Sequence, residues 1–221
     1  MSGKLIVIEG LDGSGKDTQT KILLETLSNH NILFRKISFP DYSDASSTLV
    51  KMYLGGDFGK SPSDVNAYAA STFYAVDRYA SFLRHWRDDY NNGKLIIADR
   101  YTTSNAVHQT CKLPKNEWDK YLAWLYDFEY NLLGLPRPDL VLYLDMPPLI
   151  SQKLISKRYN GDESKKDIHE RDTLYLTECR KSALYAALHL GWKIISCAEN
   201  GSVFTIDEIS FKIANIVLSI L

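Results

Sequence analysis

The chain has little of what would place it outside the cell interior, in a membrane or on a polymer. Cysteine is scarce, with Cys111, Cys179 and Cys197 spread over 221 residues. Their odd number, wide spacing and lack of any C-x-x-C pair argue against a disulfide framework and a zinc knuckle, and fit a reducing compartment. No apolar run approaches the roughly 20 residues of a membrane-spanning helix, and MSGKLIVIEG carries no cleavage-site pattern. A cytoplasmic location without a membrane partner is expected. Neither sign of charge dominates: 26 Lys and Arg stand against 27 Asp and Glu. Nothing therefore marks a nucleic-acid partner, although a near-neutral total can hide local basic sites. Internal repeats and low-complexity tracts are also missing, which leaves no solenoid reading.

What is there is a globular composition, 45% hydrophobic and 24% charged, long enough for one substantial core. One domain, 1–221, is expected. Short β-branched runs alternate with longer helical stretches, the pattern of an α/β protein with a parallel sheet. Strands are expected at Leu5–Glu9, Phe34–Phe39, Lys94–Asp99, Leu140–Asp145 and Trp192–Cys197. Each is apolar on both faces, as in central strands covered by helices on either side. Helices are expected over Thr18–Asn29, Ser63–Tyr90, Glu117–Leu133, Asp172–Leu190 and Ile206–Leu221. Two segments break the rhythm. Tyr42–Pro62 is rich in Ser, Gly and Asp, and Ser156–Lys166 is charged and carries Gly161.

Gly10-Leu11-Asp12-Gly13-Ser14-Gly15-Lys16 follows an expected strand and precedes an expected helix, the context in which G-x-x-x-x-G-K has meaning. Glycines let backbone N–H groups turn inward, the helix N-terminus adds positive potential, and Lys16 supplies a cation for β and γ phosphates. ATP binding at Gly10–Lys16 and the following Asp17 and Thr18 is expected. The residue after Lys16 departs from the pattern, since Asp17 stands where a Ser or Thr hydroxyl ordinarily ligates magnesium. Metal binding would then lean on Asp12, Asp17, Asp99 and Glu170.

Four further clusters narrow the reading: Phe39-Pro40-Asp41-Tyr42, Tyr74-Ala75-Val76-Asp77-Arg78, Asp99-Arg100-Tyr101-Thr102-Thr103-Ser104-Asn105 and Asp167-Ile168-His169-Glu170-Arg171-Asp172. With GLDGSGKDTQ at the loop, this set and its order resemble the thymidylate kinases, from about Leu5 to Trp192. The resemblance implies a three-layer P-loop kinase fold with a five-stranded parallel sheet of order 2-3-1-4-5. It also implies an acceptor-binding segment at about 40–80 and a small lid at about 151–172. The implied activity moves the γ-phosphate of ATP, with Mg2+, onto dTMP, giving dTDP and ADP on the way to dTTP.

Carried over residue by residue, Asp12 meets the acceptor near its 3′-hydroxyl and helps organise magnesium, or it only caps the following turn. Arg100 binds the acceptor phosphate, for which its planar fork is suited. Tyr74 and Arg78 share a helical face, which in the family offers a ring to stack on the pyrimidine and a cation for its carbonyl edge or the phosphate. The alternative is an aromatic packed in the core beside an Arg78 paired with Asp77 or another acid. Phe39, Tyr42 and Ser104 complete the expected dTMP site, and Asn105, with Gln109 as second candidate, matches the N–H and C=O of thymine. His108 stands where many relatives carry a Tyr against the sugar 2′ position. Arg158, then Lys157, is the expected transfer cation among Lys153, Lys157, Arg158, Lys165, Lys166 and Arg171, because Gly13 replaces an arginine found in some relatives. Glu170 is expected near the acceptor sugar and metal, with His169 structural. Trp118, Trp124 and Tyr126 could serve core or interface, and the resemblance implies a homodimer. Two rival readings remain at this point: another acceptor such as dUMP, or a regulator that binds nucleotide without catalysis.

Overall fold

Strand β1 (Leu5–Gly10) is apolar at consecutive positions because both faces of its sheet are covered. Leu5 and Val7 enter one core cluster, while Ile6 and Ile8 enter another on the opposite face. The computed structural model describes residues 2–158, 160–162, 167–170 and 172–221, without the side chains of residues 157 and 158.

In chain order β1 is followed by α1 (Lys16–Asn29), β2 (Phe34–Ser38), α2 (Thr48–Gly55), α3 (Ala67–Ser81) and α4 (Arg87–Asn91). Then come β3 (Leu95–Asp99), α5 (Thr102–His108), α6 (Trp118–Tyr126), β4 (Leu140–Asp145) and α7 (Pro148–Arg158). The chain ends with α8 (Thr173–Leu190), β5 (Lys193–Ser196), a short hairpin of β6 (Ala198–Glu199) and β7 (Ser202–Val203), and α9 (Ile206–Leu218). The main sheet is parallel with order β2-β3-β1-β4-β5, as expected. Helices α1 and α9 cover one face through Leu23, Leu27, Ile209, Ile213 and Val217. On the other face α5, α6 and α8 contribute Ala106, Val107, Leu122, Leu125, Cys179 and Ala183. A capping box starts α9: Thr205 Oγ1 accepts from Glu208 N while the Glu208 carboxylate accepts from Thr205 N.

Several expectations need correction. Strands β2 and β5 lie at the sheet edges and are largely open to solvent, so only the inner strands are buried on both faces. The helix expected over Ser63–Tyr90 starts at Ala67, where the Asn66 side chain accepts from Ala69 N. A π turn, Phe82–Trp86, separates α3 from α4, and a second, Asp127–Leu132, extends α6. Tyr42–Pro62 contains α2, whose buried Val50 and Tyr53 were masked by the polar composition around them. Helix α7 occupies the start of the expected lid, and α5 follows Arg100 directly. Trp118 is buried, and Trp124 and Tyr126 are partly buried against the core. Among the described residues no helix is long and apolar enough to cross a membrane.

Candidate active site

The loop between β1 and α1 needs its glycines for close approach. Gly10 has φ 158° and Gly13 φ 75°. A Cβ on Gly10 would stand 2.6 Å from Ser14 Oγ, and one on Gly13 would stand 2.6 Å from the Ser151 carbonyl of α7. Gly15, with φ 88°, caps α1 and faces open space. Lys16 folds back so that Nζ donates to Gly10 O at 2.8 Å and Leu11 O at 2.9 Å. Burial and the Arg100 charge lower its pKa to about 8. Ser14 Oγ is buried against Gly10 and has no hydrogen-bond partner among the described residues. Leu11 contributes only backbone, because its side chain belongs to the core.

Strand β3 is followed by Arg100, which adopts φ 66°, a left-handed conformation rare for any residue but glycine. Such strain clusters at functional sites. The turn carries the guanidinium back over β1: Nη2 donates to Asp12 Oδ1 at 2.6 Å, and Nη1 lies 3.5 Å from Glu9 Oε1 and 3.4 Å from Ser104 Oγ. Burial alone would push the Asp12 carboxyl up, but Arg100 and Lys16 hold it well below the usual carboxylate range. Burial likewise opposes the Arg100 charge, and Asp12, Glu9 and Asp99 outweigh it. Glu9 is fully buried and accepts from Gly10 N, Thr103 Oγ1 and Ser104 Oγ at 2.9, 2.7 and 2.8 Å. Its signal in the sequence was a charged residue closing an apolar strand.

Two cavities meet at this point. An outer cleft of about 560 Å³ is lined by Asp12, Gly13, Gly15 to Thr18, Asp99 and Arg100. A tighter recess of about 80 Å³ is lined by Tyr74, Arg78, Ser104, Asn105, His108 and Gln109, with Asp167 and His169. Asp12, Phe39, Pro40, Tyr42 and Arg100 line both, so they form the junction. The structure therefore brings the loop and nearly all the expected acceptor residues to one place.

Three placements differ from the sequence reading. Arg78 is 1% exposed and makes a double ion pair with Glu129, Nε to Oε2 at 2.7 Å and Nη2 to Oε1 at 2.5 Å, while still lining the recess. Both alternatives for this residue thus hold together, with Glu129 rather than Asp77 as the acid. Glu170 is not among the residues lining either cavity, and its carboxylate accepts from Asp167 N at 3.4 Å. Asp167 and His169 line the recess in its stead. His169 Nε2 is 2.9 Å from the Tyr53 hydroxyl, and its ring stacks on His108 at 5.5 Å. Burial, then Lys112, lowers the His169 pKa to about 3, while burial, then Asp12, raises Asp167 to about 6. His108 is also driven well below the ordinary value by burial and Arg100, so both imidazoles are neutral at pH 7. Asp17 is exposed and pairs with Lys21 at 2.7 Å on the rim of the outer cleft. The expected cations Lys157, Arg158, Lys165, Lys166 and Arg171 lie, wholly or in their side chains, outside the described residues.

The oxygen donors that line the outer cleft include the Asp99 carboxylate, the Thr18 hydroxyl and the Asp17 carboxylate, which is also paired with Lys21, while Asp12 is committed to Arg100. Mg2+ takes one or two carboxylates together with phosphate oxygens, so this set fits it.

The thymidylate kinase family model matches residues 8–204. A thymidylate kinase of Mycobacterium tuberculosis is 32% identical over 196 residues, covering 85% of this chain and 87% of that protein. One from Plasmodium falciparum is 29% identical over 172 residues, covering 76% and 75%. The solved thymidylate kinase of Candida albicans superposes with a TM-score of 0.69 at 25% identity, covering 99% of this chain and 92% of that one.

Proposed function

The chain belongs to the thymidylate kinase family, and from that premise we propose how this cleft moves the γ-phosphate of ATP onto dTMP. It is a nucleoside monophosphate kinase. The observation that carries the assignment of roles is the junction: Asp12 and Arg100 stand between a phosphate-cradling loop and a ring-lined recess. ATP lies in the outer cleft, with its phosphates on the N–H groups of Gly13–Lys16 and on Lys16 Nζ. The acceptor lies in the recess, its ring beside Tyr74 and its phosphate on Arg100. A phosphate held there adjoins the cradle, which supports direct transfer without a covalent enzyme intermediate. Mg2+, held by Asp99, Asp17 and Thr18, would neutralise charge on the phosphate oxygens.

Helix α7 packs on the loop at Gly13, which supports residues 151–172 as a lid whose closure excludes water and brings Arg158 to the transferring group. The exposed apolar residues Val76, Tyr79 and Leu83 on and just after α3 support a homodimer through that helix. The scarcity of cysteine supports a cytoplasmic location. A coupled assay with ATP across the nucleoside monophosphates tests the activity. ADP release is expected to depend on dTMP, whereas equal release without acceptor would defeat it.

The pH profile of the free enzyme carries a further expectation. Lys16 is charged below about pH 8 and loses its proton above it, so the cradle loses its cation as pH rises. The kcat/KM for ATP is expected to fall roughly tenfold per unit above that point. A profile flat to pH 10 would show that Lys16 does not titrate there.

A further inference from the structure

Glu129, fully buried in the π turn after α6, receives four donors. They are Arg78 Nε at 2.7 Å and Nη2 at 2.5 Å, Thr102 Oγ1 at 2.8 Å and Asn105 Nδ2 at 3.0 Å. Asn105 Nδ2 also donates to the Ser71 carbonyl at 3.2 Å. Only acceptors flank that end of the amide, so it must be the NH2 end, and both of its protons are used. What Asn105 can offer the recess it lines is therefore Oδ1, an acceptor. Arg78 can offer only donors, with Nη1 reaching no closer partner among the described residues than Tyr101 O at 3.4 Å.

Arg78 and Asn105 thus present a donor and an acceptor to the recess in a single order, and one carboxylate fixes both. A 4-oxo pyrimidine with a proton on N3 offers the complementary acceptor and donor. A 4-amino pyrimidine has the two interchanged. We propose that Glu129 is a positioning residue that sets this order and so selects thymine and uracil monophosphates against 4-amino pyrimidines, without touching the substrate. The inference rests on the recess being the acceptor site.

The comparison to make is dTMP against 5-methyl-dCMP, which keeps the 5-methyl group, the sugar and the phosphate and exchanges only the hydrogen-bonding edge. The full-length wild type is expected to favour dTMP by roughly 100-fold or more in kcat/KM, because a buried donor and acceptor are both left unpaired by the wrong edge. Glu129→Gln inserts a donor among donors and frees the Asn105 amide to turn. The preference is expected to fall about tenfold or more, chiefly through a higher KM for dTMP, with KM for ATP unchanged. Equal losses for both substrates would mean that Glu129 only supports the fold, and would overturn the proposal. A wild type that uses neither nucleotide would instead overturn the acceptor reading on which it rests. Glutamine also leaves Arg78 without its counter-charge, so a second measurement needs no variant. In 15N-labelled wild type the Asn105 side-chain NH2 is expected to exchange slowly with solvent and to keep its shifts when dTMP binds. Exchange as fast as an exposed asparagine, or shifts that mark donation to the base, would overturn the proposal as well.

Discussion

Arg100→Ala is expected to lower kcat/KM for dTMP by roughly 1,000-fold, from loss of a buried, hydrogen-bonded charge contact of about 4 kcal/mol. Two effects add. The acceptor phosphate loses the planar fork that can hold two of its oxygens, and Asp12 and Glu9 lose the cation that lies 2.6 and 3.5 Å from them. Those carboxylates then repel the phosphates on either side of the junction. Arg100→Lys restores a charge without the fork and should recover only part of the loss. Because the Lys16 cradle is untouched, KM for ATP should rise less than KM for dTMP. The measurement is steady-state kinetics with each substrate varied in turn, and turnover of Arg100→Ala within tenfold of wild type would remove Arg100 from the site.

The largest expected change in stability comes from Arg78→Met. Its guanidinium is 1% exposed and Glu129 is fully buried, so removing one partner strands a charge that no solvent reaches. Breaking such a pair costs about 3–5 kcal/mol, whereas replacing both partners with apolar groups can be close to neutral. At about 2–4 °C per kcal/mol for a chain of this size, the midpoint of thermal unfolding should drop by roughly 10 °C or more. Arg78→Met with Glu129→Leu should recover most of that drop while remaining defective toward dTMP. Calorimetry of the two single variants and the double variant checks this, since the coupling between the sites appears as non-additivity. A fall of only a degree or two in the single variant would mean that water or another cation compensates Glu129.

Local rules carried much of the fold, and their failures have local causes. Helix α2 was hidden because only Val50 and Tyr53 of its eight residues are buried, too few to stand out from the Ser, Gly and Asp around them. The edge strands β2 and β5 were read as buried like the inner strands, because position in a sheet is not a local property. The π turns leave no periodic signature, since one extra residue in a helix shifts the apolar stripe without ending it.

The sequence by itself determined the phosphate loop, the strand order implied by the family resemblance, and most side chains that line the cleft, because glycine, lysine and arginine at fixed spacings have few other uses. Only the tertiary structure decided which carboxylate answers which cation. Glu129 meets Arg78 across 51 residues of chain, and Glu9 and Asp12 meet Arg100 across about 90. Charges buried at such separations pair by packing geometry rather than by sequence, and the same geometry puts Asp167 and His169, and not Glu170, among the residues that line the recess.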